Sequence, residues 1–307
     1  MAFKVIKPGL LALVQDLGRH GYQSLGLTTG GPMDEMAFRW SNALLDNDTN
    51  SAQIEITFGM FSLEAQANTS IAITGADLGA TLNDKSISPW RSYVIKKGDI
   101  LAFHQPVWGL RAYLAVKGGF LCEPTLDSVA TVMREKIGGL TGKGDKLQKG
   151  DMLKYLPFTH HQDRAVPRLA IPNYGQTEIP VMLSYQYESF STLERANFFS
   201  SDYRVSGNSD RMGYRLEGKV ISSDLKGIIS EGIAYGAIQI PKDGQPIVLL
   251  RDRQTIGGYP KIGCVTRYGG SILSQQKPGD VIQFTPITVD QAEQERHLQM
   301  SRLAQWR

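Results

Sequence analysis

The sequence predicts a mainly β protein, two related β-barrel domains with a few short helices, and three observations carry that expectation. Short runs rich in Ile, Val, Phe and Thr recur along the chain, punctuated by Pro-Gly, Gly-Gly and Gly-Asp turn signals. The stretch Ser209-Asp210-Arg211-Met212-Gly213-Tyr214-Arg215-Leu216-Glu217-Gly218 is echoed near the start by Gln15-Asp16-Leu17-Gly18-Arg19-His20-Gly21-Tyr22. Other landmarks then follow in matching order. Glu55 ahead of Gly59-Met60-Phe61-Ser62-Leu63 pairs with Glu231 ahead of Gly236-Ala237-Ile238-Gln239-Ile240, and Ile71-Ala72-Ile73 pairs with Ile247-Val248-Leu249. Lys97-Gly98-Asp99-Ile100 pairs with Pro278-Gly279-Asp280-Val281. A single Gly-Asp turn recurs by chance in β proteins; an ordered series argues for duplication. The domains are expected at residues 1–165 and 166–307, divided in the charged, Pro-bounded stretch 157–167, with room for strands exchanged between halves.

Taken in order, residues 3–6 and 11–15 read as strands around the Pro8-Gly9 turn. Asp34 can cap a helix over 35–45 that sets Met36, Trp40, Ala43 and Leu44 on one face. Strands are expected at 53–57, 60–65, 70–74, 92–95, 100–103 and 111–116, and a short helix fits 129–136. The second half reads as strands at 169–171, 181–185, 203–205, 228–230, 237–240, 247–250, 261–266 and 281–284. Ser191 or Thr192 caps a helix to about residue 199, and the polar tail 289–307 has helical propensity with Leu298, Leu303 and Trp306 as anchors. The stretch 209–218 itself is too polar for a core strand and too rich in glycine for a helix, so it reads as a turn.

Composition narrows the function. The formal charge is only +3, from 33 basic and 30 acidic residues, which gives no reason to expect nucleic acid or an anionic membrane as partner. No apolar run approaches a membrane span, and Met1-Ala2-Phe3-Lys4 leads straight into a strand without a secretory apolar region, so a cytoplasmic protein is expected. Cys122 and Cys264, the two cysteines, fit reduced thiols. Gly142-Lys143 is followed by Gly144 and position 137 is Ile, so this glycine patch fails as a phosphate loop. Metal-ligand spacings and a Gly-x-Ser-x-Gly elbow are missing, and His160-His161, adjacent on an extended segment, point apart, so no metal is expected.

Several motifs together are similar to one family. They are Val14-Gln15-Asp16-Leu17-Gly18-Arg19-His20-Gly21, Gly31-Pro32-Met33-Asp34, and Arg111-Ala112-Tyr113-Leu114-Ala115-Val116-Lys117-Gly118-Gly119. Ile137-Gly138-Gly139-Leu140, the 209–216 stretch, Gly244-Gln245-Pro246-Ile247 and Gln254-Thr255 through Gly257-Gly258-Tyr259-Pro260-Lys261 complete the set. The chain resembles the KipA-like family, also called allophanate hydrolase subunit 2, which includes the carboxyltransferase half of urea carboxylase. At this length it is most similar to the family's bacterial 5-oxoprolinase members. Two departures stand out: Gly30-Gly31-Pro32 replaces Ser-Gly-Ala, and Asp127-Ser128-Val129-Ala130-Thr131 replaces Gly-Ser-x-Ser-Thr. The second removes a hydroxyl, so that loop is not expected to be catalytic.

The resemblance implies tandem cyclophilin-like β-barrels. It implies a hetero-oligomer, with one KipI-like partner and one LamB/YcsF-like partner, that opens 5-oxoproline to glutamate with ATP. The sequence carries no biotin-type Met-Lys-Met, so no biotin is attached to this chain. The alternatives are the carboxyltransferase component of a biotin-dependent, urea-type carboxylase, and a non-catalytic regulator that binds a KipI-like kinase inhibitor. Opening an activated lactam calls for donors to a developing negative oxygen and a carboxylate to place nitrogen or water. The candidates are Asp16, Arg19, Asp210 and Arg211 as catalytic groups, with Glu55, Glu231, Gln239, Gln254 and Tyr259 as substrate contacts.

Overall fold

The computed structural model describes residues 1–160, 162–225 and 228–306. His161 of the His160-His161 pair and Arg307 at the end of the tail lie outside the described residues; His160 stands edge-on to Phe158. The chain forms two compact units, one from Met1–Arg19, Gly30–Pro172 and Ser301–Arg307, the other from His20–Thr29 and Asn173–Met300. Both are mainly β.

In the first unit the strands are β1 (Ala2–Pro8), β2 (Leu11–Gln15), β3 (Gln53–Thr57), β4 (Phe61–Ala65), β5 (Thr69–Asp77) and β6 (Thr81–Leu82). They continue with β7 (Lys85–Ser86), β8 (Arg91–Ile95), β9 (Ile100–Phe103), β10 (Trp108–Val116) and β11 (Met152–Lys154). One sheet has the order β11-β1-β4-β9-β6-β7 and the other β2-β3-β10-β5-β8. Their apolar faces bury Phe3, Val5, Ile54, Ile56, Phe61 and Leu63 in one continuous core. The chain passes from β3 in one sheet to β4 in the other through Phe58, Gly59 and Met60, all three at positive φ. Helix α1 (Glu35–Leu44) starts where expected, with Asp34 accepting from Ala37 N at 3.1 Å, and buries every residue but Arg39. Its burial is wider than one stripe because the polar groups it presents are also used: Thr74 donates to Ala37 O and Gln53 to Phe38 O.

In the second unit β12 (Glu178–Leu183), β13 (Tyr203–Val205), β14 (Gly213–Gly218), β16 (Ala237–Gln239), β17 (Ile247–Leu249), β19 (Lys261–Val265) and β20 (Val281–Ile287) close a barrel. Strands β15 (Glu231–Gly232) and β18 (Ile256–Gly257) form a separate two-stranded ribbon. Around the barrel every pairing is antiparallel except β12 with β20. Helix α2 (Thr192–Ser200), capped by Ser191, drives Phe198 onto Phe284 in a stacked pair 4.7 Å apart. Helix α3 (Arg267–Leu273) belongs to this unit, and helix α4 (Val289–Trp306) begins in it, its residues from Ser301 on being counted with the first unit.

Some expectations are corrected. Residues 213–218 are a barrel strand, not a turn: Tyr214 and Leu216 point inward while Arg215 and Glu217 are exposed, so the charges occupy only the outer face. Residues 168–170 are a single 3₁₀ turn and 228–230 are irregular, and in 129–136 only Met133–Glu135 turns helically. In the tail, Leu303 is buried and Trp306 packs edge-on against Trp40, but Leu298 is 52% exposed and anchors nothing. Among the described residues no helix is long and apolar enough to cross a membrane.

Candidate functional site

The paired Asp-Arg motifs act on backbone. Asp16 Oδ1 accepts from Gly18 N, and the carboxylate also takes Ser128 Oγ at 2.6 Å and Val129 N at 2.8 Å. Arg19, 1% exposed, donates to the carbonyls of Thr125, Ser128 and Ala130. Together they fasten the 125–130 loop to the first unit. In the second unit Asp210 Oδ1 accepts from Met212 N and Gly213 N, turning the chain into β14. Arg211 makes a buried two-pronged pair with Asp252, 2.9 Å at each prong. Such fork-to-fork pairing fixes orientation as well as charge.

Glu55 is also enclosed. Its Oε2 accepts from Met33 N at 2.8 Å and Tyr113 Oη at 2.7 Å, and Arg111 stands 4.0 Å from Oε1. Tyr113 in turn accepts from Asp34 N, so this chain of bonds holds the entry to α1. Burial, reinforced by the Glu55 charge, pushes the Tyr113 hydroxyl well above its ordinary value and keeps it a neutral donor.

A different arrangement surrounds Glu231 in the second unit. Its carboxylate pairs with Lys261 and receives the hydroxyl of Tyr185, while Gln186 Nε2 reaches Oε1 at 3.2 Å. Gln186 also accepts from Lys261 N at 2.8 Å and donates to Tyr185 Oη at 2.7 Å. The Lys261 bond first, then Tyr185, hold the Glu231 carboxyl below its ordinary value. Lys261 is 6% exposed, and the Glu231 carboxylate offsets the cost of burying an ammonium there.

The strand pairing explains how Lys261 arrives there. Strand β16 pairs with β19 as Ile238 with Gly263, then Gln239 with Lys261, so Ile262 is the extra residue of a bulge. The bulge sets Lys261 directly opposite Gln239. Gln239 is 2% exposed, and its Nε2 has no hydrogen-bond partner among the described residues. Leaving such a donor unpaired costs about 1–3 kcal/mol. Gly257 lies beneath it: a Cβ there would stand 2.9 Å from Gln239 Nε2. The ribbon carrying Gly257 and Glu231 is braced by Arg253, which donates to Ile233 O at 3.0 Å, and by Ile233 N donating to Thr255 O. Burial and the neighbouring Arg251 lower the Arg253 guanidinium to about 10, so it stays cationic at neutral pH.

Just beyond Gly257, the residues Gly258, Tyr259 and Pro260 help line a cavity of about 570 Å³ whose other walls include Ile221, Leu225 and Ile240. A concave apolar cavity next to a few convergent polar groups is the usual form of a small-molecule site.

The chain matches the model of the carboxyltransferase domain, subdomains A and B, over residues 25–286. It belongs to the carboxyltransferase-domain family. Among curated relatives, the 5-oxoprolinase C subunit of Escherichia coli is 34% identical, the match covering 94% of this chain and 92% of that protein. The Haemophilus influenzae protein of the same name is 34% identical over 92% of this chain and 90% of its own length. The solved urea amidolyase of Kluyveromyces lactis superimposes on the whole chain with a TM-score of 0.93 at 29% identity; the chain spans 20% of its length.

In this carboxyltransferase-domain chain, the residues singled out from sequence therefore separate by environment. Glu231 and Gln239 meet around Gly257 and Lys261, and Tyr259, 44% exposed, lines the adjoining cavity. Gln254 is half-buried in the turn ahead of β18. Asp16, Arg19, Asp210, Arg211 and Glu55 spend their polar atoms on holding loops, turns and the start of α1. Sequence reasoning missed Lys261, Tyr185 and Gln186. Lys261 left one signal, a charge opening the otherwise apolar Lys-Ile-Gly-Cys-Val strand; Gln186, 75 residues away from its partner Lys261, left none.

Proposed function

We propose that this chain is the C component of an ATP-dependent 5-oxoprolinase, working with a KipI-like partner and a LamB/YcsF-like partner to open 5-oxoproline to glutamate. The observation that carries the reading is the near end-to-end likeness to the 5-oxoprolinase C subunit of Escherichia coli, 34% identity across 94% of this chain and 92% of the relative. The Glu231 cluster supports it, since ring opening needs a donor to the lactam oxygen and an acceptor for the ring N–H or water. In the reaction water adds across the lactam C–N bond, with ATP consumption as the driving force. No ATP step is assigned to residues of this chain. The glycine patch 138–144 serves packing: a Cβ on Gly138 would meet Ala130 O at 2.0 Å, and one on Gly144 would meet Ile137 N at 2.6 Å.

The test is to co-express the three chains and follow glutamate formation from 5-oxoproline. Glutamate that appears only with ATP and all three chains supports the reading; an assembled complex inert towards 5-oxoproline overturns it. One observation favours a second reading, carboxyl transfer: the TM-score of 0.93 with urea amidolyase over the whole chain. Carboxylation of urea by this chain with a biotin carboxylase and a biotinylated carrier would select that reading instead.

A further inference from the structure

In the first unit, the turn at residues 167–170 has its backbone fixed on every side. Val166 N donates to Trp90 O at 2.9 Å ahead of it, Ala170 N closes onto Pro167 O at 2.8 Å, and Arg302 Nη1 reaches Leu169 O at 3.4 Å. The turn holds the Leu169 side chain 90% exposed. One exposed leucine is ordinary by itself, but this one forms a wall of a surface niche. The niche, about 250 Å³, is lined by Trp40, Pro167, Leu169, Ala170 and Trp306, with Arg302 as the charged group in its wall. Trp40 of α1 is 2% exposed and Trp306 stands edge-on to it at 5.8 Å, so the aromatic side of the niche is packed in place.

The charges choose the occupant. The one hydrogen bond of the Arg302 side chain goes to Leu169 O, and neither Arg302 nor the exposed Arg168 has an acidic partner among the described residues. The described residues that line the niche include no acid. An apolar niche flanked by two uncompensated guanidiniums fits an apolar side chain next to carboxylates and repels a basic segment. It also disfavours a second copy of this chain, because a two-fold pairing of this face with itself would set arginines against arginines. Trp and Arg are the side chains that most often dominate the binding energy of protein interfaces.

We propose that the face formed by the Leu169 turn and the last turn of α4 is the docking site for a partner subunit. The partner inserts an apolar side chain between Leu169 and the Trp40–Trp306 pair, and a flanking Asp or Glu pairs with Arg302. The proposal rests on the reading that this chain works with partner subunits, and it adds where one of them attaches.

The experiment titrates the full chain with the purified KipI-like and LamB/YcsF-like partners, singly and together, at low and high salt in a calorimeter. Leu169→Asp is expected to weaken the complex about tenfold or more, the scale of one buried leucine. Its side chain touches little of the fold, so the denaturation midpoint of Leu169→Asp stays that of the parent. Arg302→Gln is expected both to weaken binding and to flatten its salt dependence. Leu298→Asp, at a half-exposed leucine of α4 outside the niche, binds as the parent does. Parent affinity in Leu169→Asp, an equal loss in Leu298→Asp, or unchanged salt dependence in Arg302→Gln would overturn the proposal. So would Leu169-dependent self-association in place of partner binding, or a parent chain that binds neither partner. A complex that assembles through this face yet is inert towards 5-oxoproline strikes the functional reading alone, because the titration needs no turnover.

Discussion

At the scale of the residue, Lys261 shows how one buried charge organises its neighbours. Its ammonium keeps Glu231 ionised, Gln186 ties both to Tyr185, and the carboxyl stays below its ordinary 4.5. A carboxyl depressed in this way contributes its ion pair above the unfolded value and loses it as pH falls through the lower folded one. The stability contributed by the Lys261–Glu231 pair is therefore expected to hold from neutral pH down through 4.5 and to fade only below it, as read from denaturant midpoints against pH. In Lys261→Met that acid loss should shrink; midpoint curves of the two chains that run parallel would show that Lys261 does not set it. The Arg211–Asp252 pair makes a second prediction. Both partners are buried, so Arg211→Ala strands a carboxylate and should cost about 3–5 kcal/mol, whereas Asp210→Ala removes an exposed turn acceptor and should cost about 1 kcal/mol. Denaturant midpoints read by circular dichroism would separate them, and equal losses would contradict the assignment of Arg211 as the buried staple.

At the scale of the element, the corner between β3 and β4 is the tightest point of the first unit. Three successive residues adopt positive φ there, and a Cβ on Gly59 would stand 1.8 Å from His104 O. Since backbone cannot swing aside like a side chain, Gly59→Ala should cost at least the ~1–3 kcal/mol of local strain and lower the denaturation midpoint. A midpoint within error of the parent would mean the corner relaxes freely. The same physics sets what was legible in the sequence. Asp34 and Ser191 announced α1 and α2 because a cap is a local bond, and both accept the expected backbone N–H. Strand β14 was hidden by Arg215 and Glu217, although Tyr214 and Leu216 alternate with them at the period of a strand. Helix α3 was hidden by Gly269-Gly270, poor helix formers that tertiary packing demands: a Cβ on Gly270 would meet Tyr235 Oη at 2.1 Å. Of the site, Glu231, Gln239 and Tyr259 could be picked by residue type next to strands. Their gathering depends on a bulge at Ile262 and on Gln186, both products of long-range pairing that no local pattern encodes.

At the scale of the whole molecule, the relatives differ in how much protein surrounds the same domain. The chain spans 92% of the Escherichia coli 5-oxoprolinase C subunit but 20% of the Kluyveromyces lactis urea amidolyase structure. A domain that is one part of a large chain in one relative and nearly a whole polypeptide in another must, in the second setting, meet the other parts by association. Activity then depends on concentration in a way a single-chain enzyme's does not. With both partners held constant, glutamate formation from 5-oxoproline and ATP is expected to be absent without this chain, to rise as it is added, and to saturate. A rise without saturation would argue against a defined complex.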